Sequence, residues 1–246
     1  GVDLIGGENL TNELVQLIES GQILESRIDQ SVYRIMKQKF QLGLFDNPYL
    51  DSDLLEVYNK EYNKQKGIEA QRKSLVLLKN KNEILPLSED SKIFYHGFGE
   101  DFISKNNLYD YNESDINVIK INSPNGRFES EYTFELLLGG GPLDYTPEEL
   151  QKYISLIKQK PTIIIANLSR PTILTEIDYS ASAIIADFGS EDEIIKDLIH
   201  GRFNPSGKLP FDLPSSMESV NDQLEDLPFD SKHPLFKFGH GLSYQE

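Results

Sequence analysis

Thr162-Ile163-Ile164-Ile165-Ala166-Asn167-Leu168 is an unbroken apolar, mostly β-branched run. It is too short for a buried helix and has no polar alternation, so it predicts a strand covered on both faces, of the kind found at the centre of a parallel sheet. Outward from it, helix and strand signals alternate. Ahead of it, Pro147 opens a predicted helix, with Glu148 and Glu149 placed favourably at its positive end. Behind it, Ala183-Ile184-Ile185-Ala186 predicts the next strand. Ser190 is then the expected cap of a helix ending near Gly201, with Glu191, Asp192 and Glu193 in its first turn. Earlier, a helix over about 59–74 runs into a strand at Leu75-Val76-Leu77-Leu78, followed by a turn at Lys79–Asn82 and a short strand at Ile93-Phe94-Tyr95. Ile116–Ile121 alternates with polar residues and predicts a strand nearer an edge. Residues 100–115 are polar and receive no assignment, and 122–146 read as a long loop containing Gly139-Gly140-Gly141-Pro142. Strands alternating with helices of this length predict a mostly parallel sheet with helices on both faces.

The first fifty residues differ in texture. Thr11 is positioned to cap a helix through Leu14, Val15, Leu17 and Ile18 that ends near Gly21. Glu25 or Ser26 opens a second, whose apolar residues Ile28, Val32, Ile35, Met36 and Phe40 share one face. Gly43 supplies the stop, Asn47-Pro48 a turn, and 51–60 a polar connector.

The chain has 246 residues, a formal net charge of −16 and no cysteine. That length buries a core without covalent staples. The negative field disfavours nucleic acid and anionic membranes and tolerates neutral substrates such as sugars. Disulfides and cysteine-based metal sites are excluded. Absence of cysteine fits a reducing cytoplasm or a bacterial periplasm. Beginning at Gly1 and within an apparent structural unit, the chain reads as a fragment or processed product of a longer protein.

Asn204-Pro205-Ser206-Gly207-Lys208-Leu209-Pro210-Phe211-Asp212-Leu213-Pro214 is a dense run of turn formers, followed at a distance by Pro234-Leu235-Phe236-Lys237-Phe238-Gly239-His240-Gly241-Leu242-Ser243-Tyr244. Together these resemble the C-terminal region of glycoside hydrolase family 3, the β-glucosidase and β-xylosidase family. Three further segments resemble that family in order. Gly1-Val2-Asp3-Leu4 with Ser20–Val32 is similar to the end of its catalytic barrel, Lys39–Tyr49 to its linker, and Gln71–Asn80 to the start of its second domain.

The resemblance implies an α/β fold: a three-layer sandwich with a mostly parallel sheet, preceded by helices from the end of a (β/α)8-like barrel that this chain lacks. The implied divisions are 1–58 for the barrel-exit helices and linker, 59–225 for the sandwich and 226–246 for a C-terminal tail packing back on it. It implies a retaining exo-acting hydrolase of terminal β-linked sugars, needing no cofactor or metal, with an oligosaccharide substrate and the barrel of the same protein as partners. Such enzymes hold two carboxyl groups about 5–5.5 Å apart across the scissile bond. The family's nucleophilic Asp lies in a Ser-Asp-Trp-like motif. This chain has no Trp and no comparable Asp, so the nucleophile is expected elsewhere and the chain alone is expected to be inactive. The acid/base is expected in the loop 122–146, where Glu129, Glu135 and Glu131 are alternatives and Arg127 is a substrate-binding candidate.

Ligands in open α/β sheets collect at the carboxyl ends of strands. Arg170 and Asp187, which follow two predicted strands, are therefore binding candidates too. His240, between two glycines, is either a cleft residue or part of a packed tail, and Arg72 reads as a structural ion pair. The alternative functional reading is a non-catalytic carbohydrate-binding or interaction module. Gly97-Phe98-Gly99 also follows a strand, as in a nucleotide-binding turn, but Phe102 stands where a third glycine is needed.

Overall fold

Five strands form one sheet in the order β1-β5-β4-β3-β2, namely β1 (Val76–Asn80), β2 (Ile93–His96), β3 (Ile116–Asn122), β4 (Thr162–Asn167) and β5 (Ala183–Asp187). This computed structural model describes residues 2–6, 9–50, 52–58, 60–124 and 140–244. Strands β2 to β5 are mutually parallel, and β1 joins β5 antiparallel with an irregularity between Leu77 and Lys79. As expected, β4 lies at the centre, its residues from Thr162 to Ala166 all buried.

Period-2 alternation sends Ile163, Ile165, Val118 and Ile185 to one face and Ile164, Ala166, Ile119 and Ile184 to the other. The first face is covered by α4 (Glu61–Ser74), α5 (Glu100–Asn106) and α8 (Asp192–Ile199), through Ile68, Phe102, Ile194, Ile195 and Leu198. The second is covered by α6 (Pro147–Ile157) and α7 (Thr175–Ser180), through Ile157 and Ile177, together with Leu209 and Leu213. The result is three layers. Each fully buried large aliphatic side chain contributes about 1.5–3 kcal/mol.

Several expectations are corrected. Strand β3 is interior, between β2 and β4. Its polar residues are buried rather than exposed: Asn117 is fully buried with Ser114 Oγ 3.4 Å from its Oδ1 and no partner on its Nδ2, and Lys120 is held by carboxylates. Residues 100–106 form α5, and Leu54–Tyr58 form the short helix α3 inside the expected polar connector. Ser190 does not cap α8. Glu191 takes the N-cap position, and the Ser190 amide donates to Asp187 Oδ1 at 2.7 Å. In contrast, α6 carries a capping box, in which Thr146 Oγ1 accepts from the Glu149 amide and Glu149 accepts from the Thr146 amide. Arg72 does form an ion pair, with Asp197 at 3.5 Å.

The chain divides into two compact units, Gly1–Glu61 and Tyr62–Glu246. In the first, α1 (Thr11–Glu19) and α2 (Glu25–Gln41) end at Gly21 and Gly43, whose φ values of 73° and 67° suit glycine. Leu10, not Thr11, holds the N-cap of α1, and Thr11 Oγ1 donates to Asn9 instead. Asp3 accepts from Ser31 at 2.8 Å and pairs with Arg27 and Arg34 at 3.2 and 3.1 Å. The Ser31 hydrogen bond and the two guanidinium groups hold its carboxyl below the usual aspartate value. An apolar cleft of about 550 Å³ lies beside this cluster, lined by Val2, Leu4, Leu14, Ile28 and Ile35.

In the second unit the two glycine-rich C-terminal segments lie side by side and seal β1. The Leu242 amide donates to Leu77 O at 2.7 Å, Leu209 to His240 O at 2.9 Å and Leu213 to Phe236 O at 2.8 Å. A Cβ on Gly207 would stand 2.3 Å from Leu75 O, and one on Gly241 would stand 2.3 Å from Gly207 O. Both obstacles are backbone atoms and cannot rotate away.

Gly207→Ala is expected to destabilise the chain by about 2–3 kcal/mol in urea unfolding. Gly67→Ala, in the exposed middle of α4 with nothing within 4 Å of the new Cβ, is expected to stabilise it by about 0.5–1 kcal/mol. A neutral Gly207→Ala would refute the close packing of the tail on β1.

A second prediction concerns His200, at the C-cap of α8. Burial pushes its imidazole below the ordinary value of 6.5, with Glu89 opposing that shift. The unfolded chain therefore binds this proton first as pH falls, and stability is lost through and below the ordinary histidine range. Unfolding midpoints are expected to fall from pH 7 to pH 5, and to fall less in His200→Gln. Identical pH profiles for the two proteins would refute the assignment.

Candidate functional site at the carboxyl rim of the sheet

Strands β3, β4 and β5 end in register, with Asn122 opposite Asn167 and Asn167 opposite Asp187. The connections that follow therefore leave from one rim, where open α/β sheets place their ligands. Local hydrogen bonds make this rim rigid. Ser123 Oγ lies 2.8 Å from Asn167 O and 3.0 Å from Arg170 O, and it accepts from Thr172 Oγ1 at 2.8 Å. Tyr145, whose hydroxyl burial pushes well above the ordinary tyrosine range, donates to Asn122 O at 2.9 Å. The Ile173 amide reaches Leu143 O at 3.0 Å.

Arg170 is the hub of the rim. Its guanidinium donates to Pro124 O at 3.2 Å, to Gly140 O at 2.7 Å and to Gly141 O at 2.6 Å. Those carbonyls flank residues 125–139 on both sides, so one side chain fixes where that segment leaves and where it returns. Arg127, Glu129, Glu131 and Glu135 belong to the segment itself and lie outside the described residues.

Asp187, at the end of β5, is fully buried. Its Oδ1 accepts from the amides of Gly189 and Ser190 at 3.1 and 2.7 Å, while Oδ2 lies 3.7 Å from Lys120 Nζ without a hydrogen bond. Lys120 donates instead to Asp192 at 2.8 Å and sits 5.7 Å from the Phe98 ring centre. Sequence reasoning missed Lys120 and Asp192. Alternation pointed only to a strand nearer an edge, and nothing local to either residue signals the pairing, which joins positions 72 residues apart.

The Gly97-Phe98-Gly99 turn serves the same cluster. A Cβ on Gly97 would meet Lys120 O at 2.2 Å, the Gly99 amide donates to Asp192 Oδ2 at 2.9 Å, and Phe102 is core. Its glycines are thus used for close packing against β3. His240 belongs to the C-terminal tail. Its Nε2 lies 2.8 Å from Leu78 O and its ring stacks on Phe236 at 4.9 Å, within the tail packed on β1. Among the described residues, no three His, Asp or Glu side chains converge as metal ligands, and no helix is long and apolar enough to cross a membrane.

Comparison with known proteins places this geometry. Residues 110–244 match the glycosyl hydrolase family 3 C-terminal domain. β-Glucosidase C of Emericella nidulans is 38% identical, over 100% of this chain and 41% of its own length. The periplasmic β-glucosidase/β-xylosidase of Dickeya chrysanthemi is 34% identical, over 99% and 38%. Relatives thus occur in fungi and bacteria, and the likeness does not mark a bacterial source.

Among solved structures, β-glucosidase from Listeria innocua in complex with glucose superposes with a TM-score of 0.68 at 22% identity, covering 96% of this chain and 41% of that one. The exo-1,3/1,4-β-glucanase from a Pseudoalteromonas species superposes with a TM-score of 0.69 at 23% identity, covering 100% and 37%. These two likenesses establish the fold. The chain spans about two fifths of the length of the relatives it matches. With the match running from Asp110 through the two C-terminal glycine segments, this chain belongs to glycosyl hydrolase family 3, as its C-terminal domain.

Proposed function

We propose that the chain works within a retaining, exo-acting β-glycosidase that removes terminal β-linked glucose or xylose, and that its segment 125–139 supplies the acid/base carboxylate. The observation that carries this reading is the Arg170 tie. The segment holding Glu129, Glu135 and Glu131 leaves and returns at the carboxyl rim through carbonyls fixed by one guanidinium. A general acid must sit within hydrogen-bond reach of the departing oxygen, so a loop that carries it needs a fixed base.

The nucleophile comes from a barrel in the remainder of the protein. The first unit offers that barrel an apolar surface: Val2, Leu4 and Val32, which line the 550 Å³ cleft, and Leu24 and Phe40 are all more than half exposed. The barrel carboxylate attacks the anomeric carbon while the loop carboxyl protonates the leaving oxygen; the loop carboxylate then activates water. Arg170 positions the loop, and Arg127 lies within it to meet the substrate. A neutral sugar is compatible with a chain of net charge −16. Relatives named as periplasmic support residence outside the cytoplasm.

In the full-length protein, one of Glu129→Gln, Glu135→Gln and Glu131→Gln is expected to lower kcat on an unactivated β-glucoside by ~100- to 10,000-fold. That variant alone should be rescued by azide on an aryl glucoside. If all three retain activity, the acid/base lies elsewhere. This chain in isolation is expected to show no turnover; turnover abolished by substitution within 122–146 would contradict the proposal.

Arg170→Ala is expected to destabilise this chain by about 1–3 kcal/mol, because it strands hydrogen-bonded carbonyls. In the full-length enzyme it should lower kcat more than it raises KM. Arg170→Lys, with fewer donors and no planar fork, should recover only part of the loss. Full activity in Arg170→Ala would remove its positioning role.

A further inference from the structure

A cleft of about 250 Å³ opens beside the edge strand β2, lined by Glu89, Tyr95, Lys105, Tyr109, Lys196 and His200. Helices α5 and α8 start at the carboxyl rim and run back along the sheet. Lys105 and His200, at their far ends, therefore place the cleft toward the opposite end from the carboxyl rim.

Two polar atoms of its lining residues have no hydrogen-bond partner, Tyr95 Oη and His200 Nδ1, the latter 4.0 Å from Glu89 Oε2. Both side chains are deeply buried, Tyr95 at 3% exposure and the His200 side chain at 4%. Tyr95 is also held edge-on against Phe98 and Phe102, with ring centres 5.4 and 5.1 Å away, so its hydroxyl cannot swing out to water. A buried polar atom left unpaired is costly, and two in one cleft are a preformed demand for an occupant that hydrogen-bonds.

The chemistry of the lining selects the occupant. Burial keeps the tyrosine protonated and the imidazole neutral, so the pair offers uncharged hydrogen-bonding atoms. Charged groups of both signs surround them, Lys105, Lys196 and Glu89. Lys196 donates to Asn106 Oδ1 at 2.6 Å, and Glu89 pairs with Arg202 at 3.2 Å. No arginine fork lines the cleft, and the net charge of −16 repels an anion at long range. A hydroxyl group, donor and acceptor at once, matches both unpaired atoms, and Tyr109 and Leu108 give the cleft an apolar side for carbon-bound hydrogens. The volume suits a molecule of one ring.

We propose that this cleft is a second, non-catalytic site for a neutral polyhydroxyl ligand the size of a monosaccharide, held by Tyr95 Oη and His200 Nδ1. It does not rest on the catalytic assignment, because no residue of 125–139 takes part.

The test is a titration of this chain, carbon-13-labelled at histidine, with glucose, following the imidazole signals of His96, His200, His233 and His240 separately. A saturable shift at His200 alone is expected, and Tyr95→Phe should weaken its midpoint by roughly tenfold. If Tyr95→Phe does not fold, His200→Gln replaces it, read by calorimetry with glucose, and should weaken the midpoint by roughly tenfold. No saturable shift at His200 up to about 100 mM glucose, far above the affinity range of a weak small-ligand site, overturns the proposal. A midpoint unchanged by the substitution overturns it equally, leaving a cavity filled by water.

Discussion

Backbone lies directly on backbone where the C-terminal segments meet β1, and the arrangement of the sheet depends on it. Gly207 passes Leu75 O, and Gly241 passes Gly207 O, each so closely that a methyl group would overlap a carbonyl. Strand β1 runs antiparallel on the edge of an otherwise parallel sheet, and an unprotected edge is a liability. The Leu242 amide takes up Leu77 O on that edge, and the tail delivers Leu209 and Leu213 into the core of the second face. The turn-rich run of prolines and glycines from Asn204 to Pro214 is therefore a covering for a strand more than a hundred residues earlier.

Legibility of the fold follows the same division between local and distant causes. Strands β4 and β5 were readable because burial on both faces demands continuous β-branched and apolar residues, a purely local signature. Helix α6 was readable because proline and two glutamates mark its start, and its capping box closes within four residues. Strand β3 was placed nearer an edge because Asn117 and Lys120 interrupt it. Lys120 is paired with Asp192 far along the chain, and Asn117 is buried with Ser114 on its Oδ1 and no partner on its Nδ2, so a rule equating polar with exposed misread an interior strand. Ser190 failed as a cap for a related reason. Its backbone amide is committed to Asp187, which draws the turn tight and moves the helix start one residue on.

The rim was legible in location but not in mechanism. Arg170 and Asp187 were singled out because they follow parallel strands, and both do sit at the carboxyl ends. Their hydrogen bonds, however, run to backbone: carbonyls for Arg170, amides for Asp187. A sequence shows that a charged residue is near a strand end; it does not show whether the charge faces a ligand or organises the loops around it. That distinction needs distances. At Arg170 they favour organisation, since three of its five N–H donors are spent on the two ends of one segment.

Burial explains why the two ends of the sheet invite different chemistry. At the carboxyl rim the buried charges are matched, Lys120 against Asp187 and Asp192, and the guanidinium of Arg170 is filled by carbonyls. Matched charges hold their places and free the loop above them to supply the reactive group. Beside β2, toward the other end, the unmatched atoms are uncharged, a phenol and an imidazole that burial keeps neutral. Unmatched neutral atoms discriminate weakly between anion and cation but strongly against ligands without hydroxyls or water-like donors, because an apolar occupant leaves the desolvation cost standing. Within one α/β layer structure, the rim is thus suited to moving protons and the far cleft to recognising uncharged hydroxyl groups.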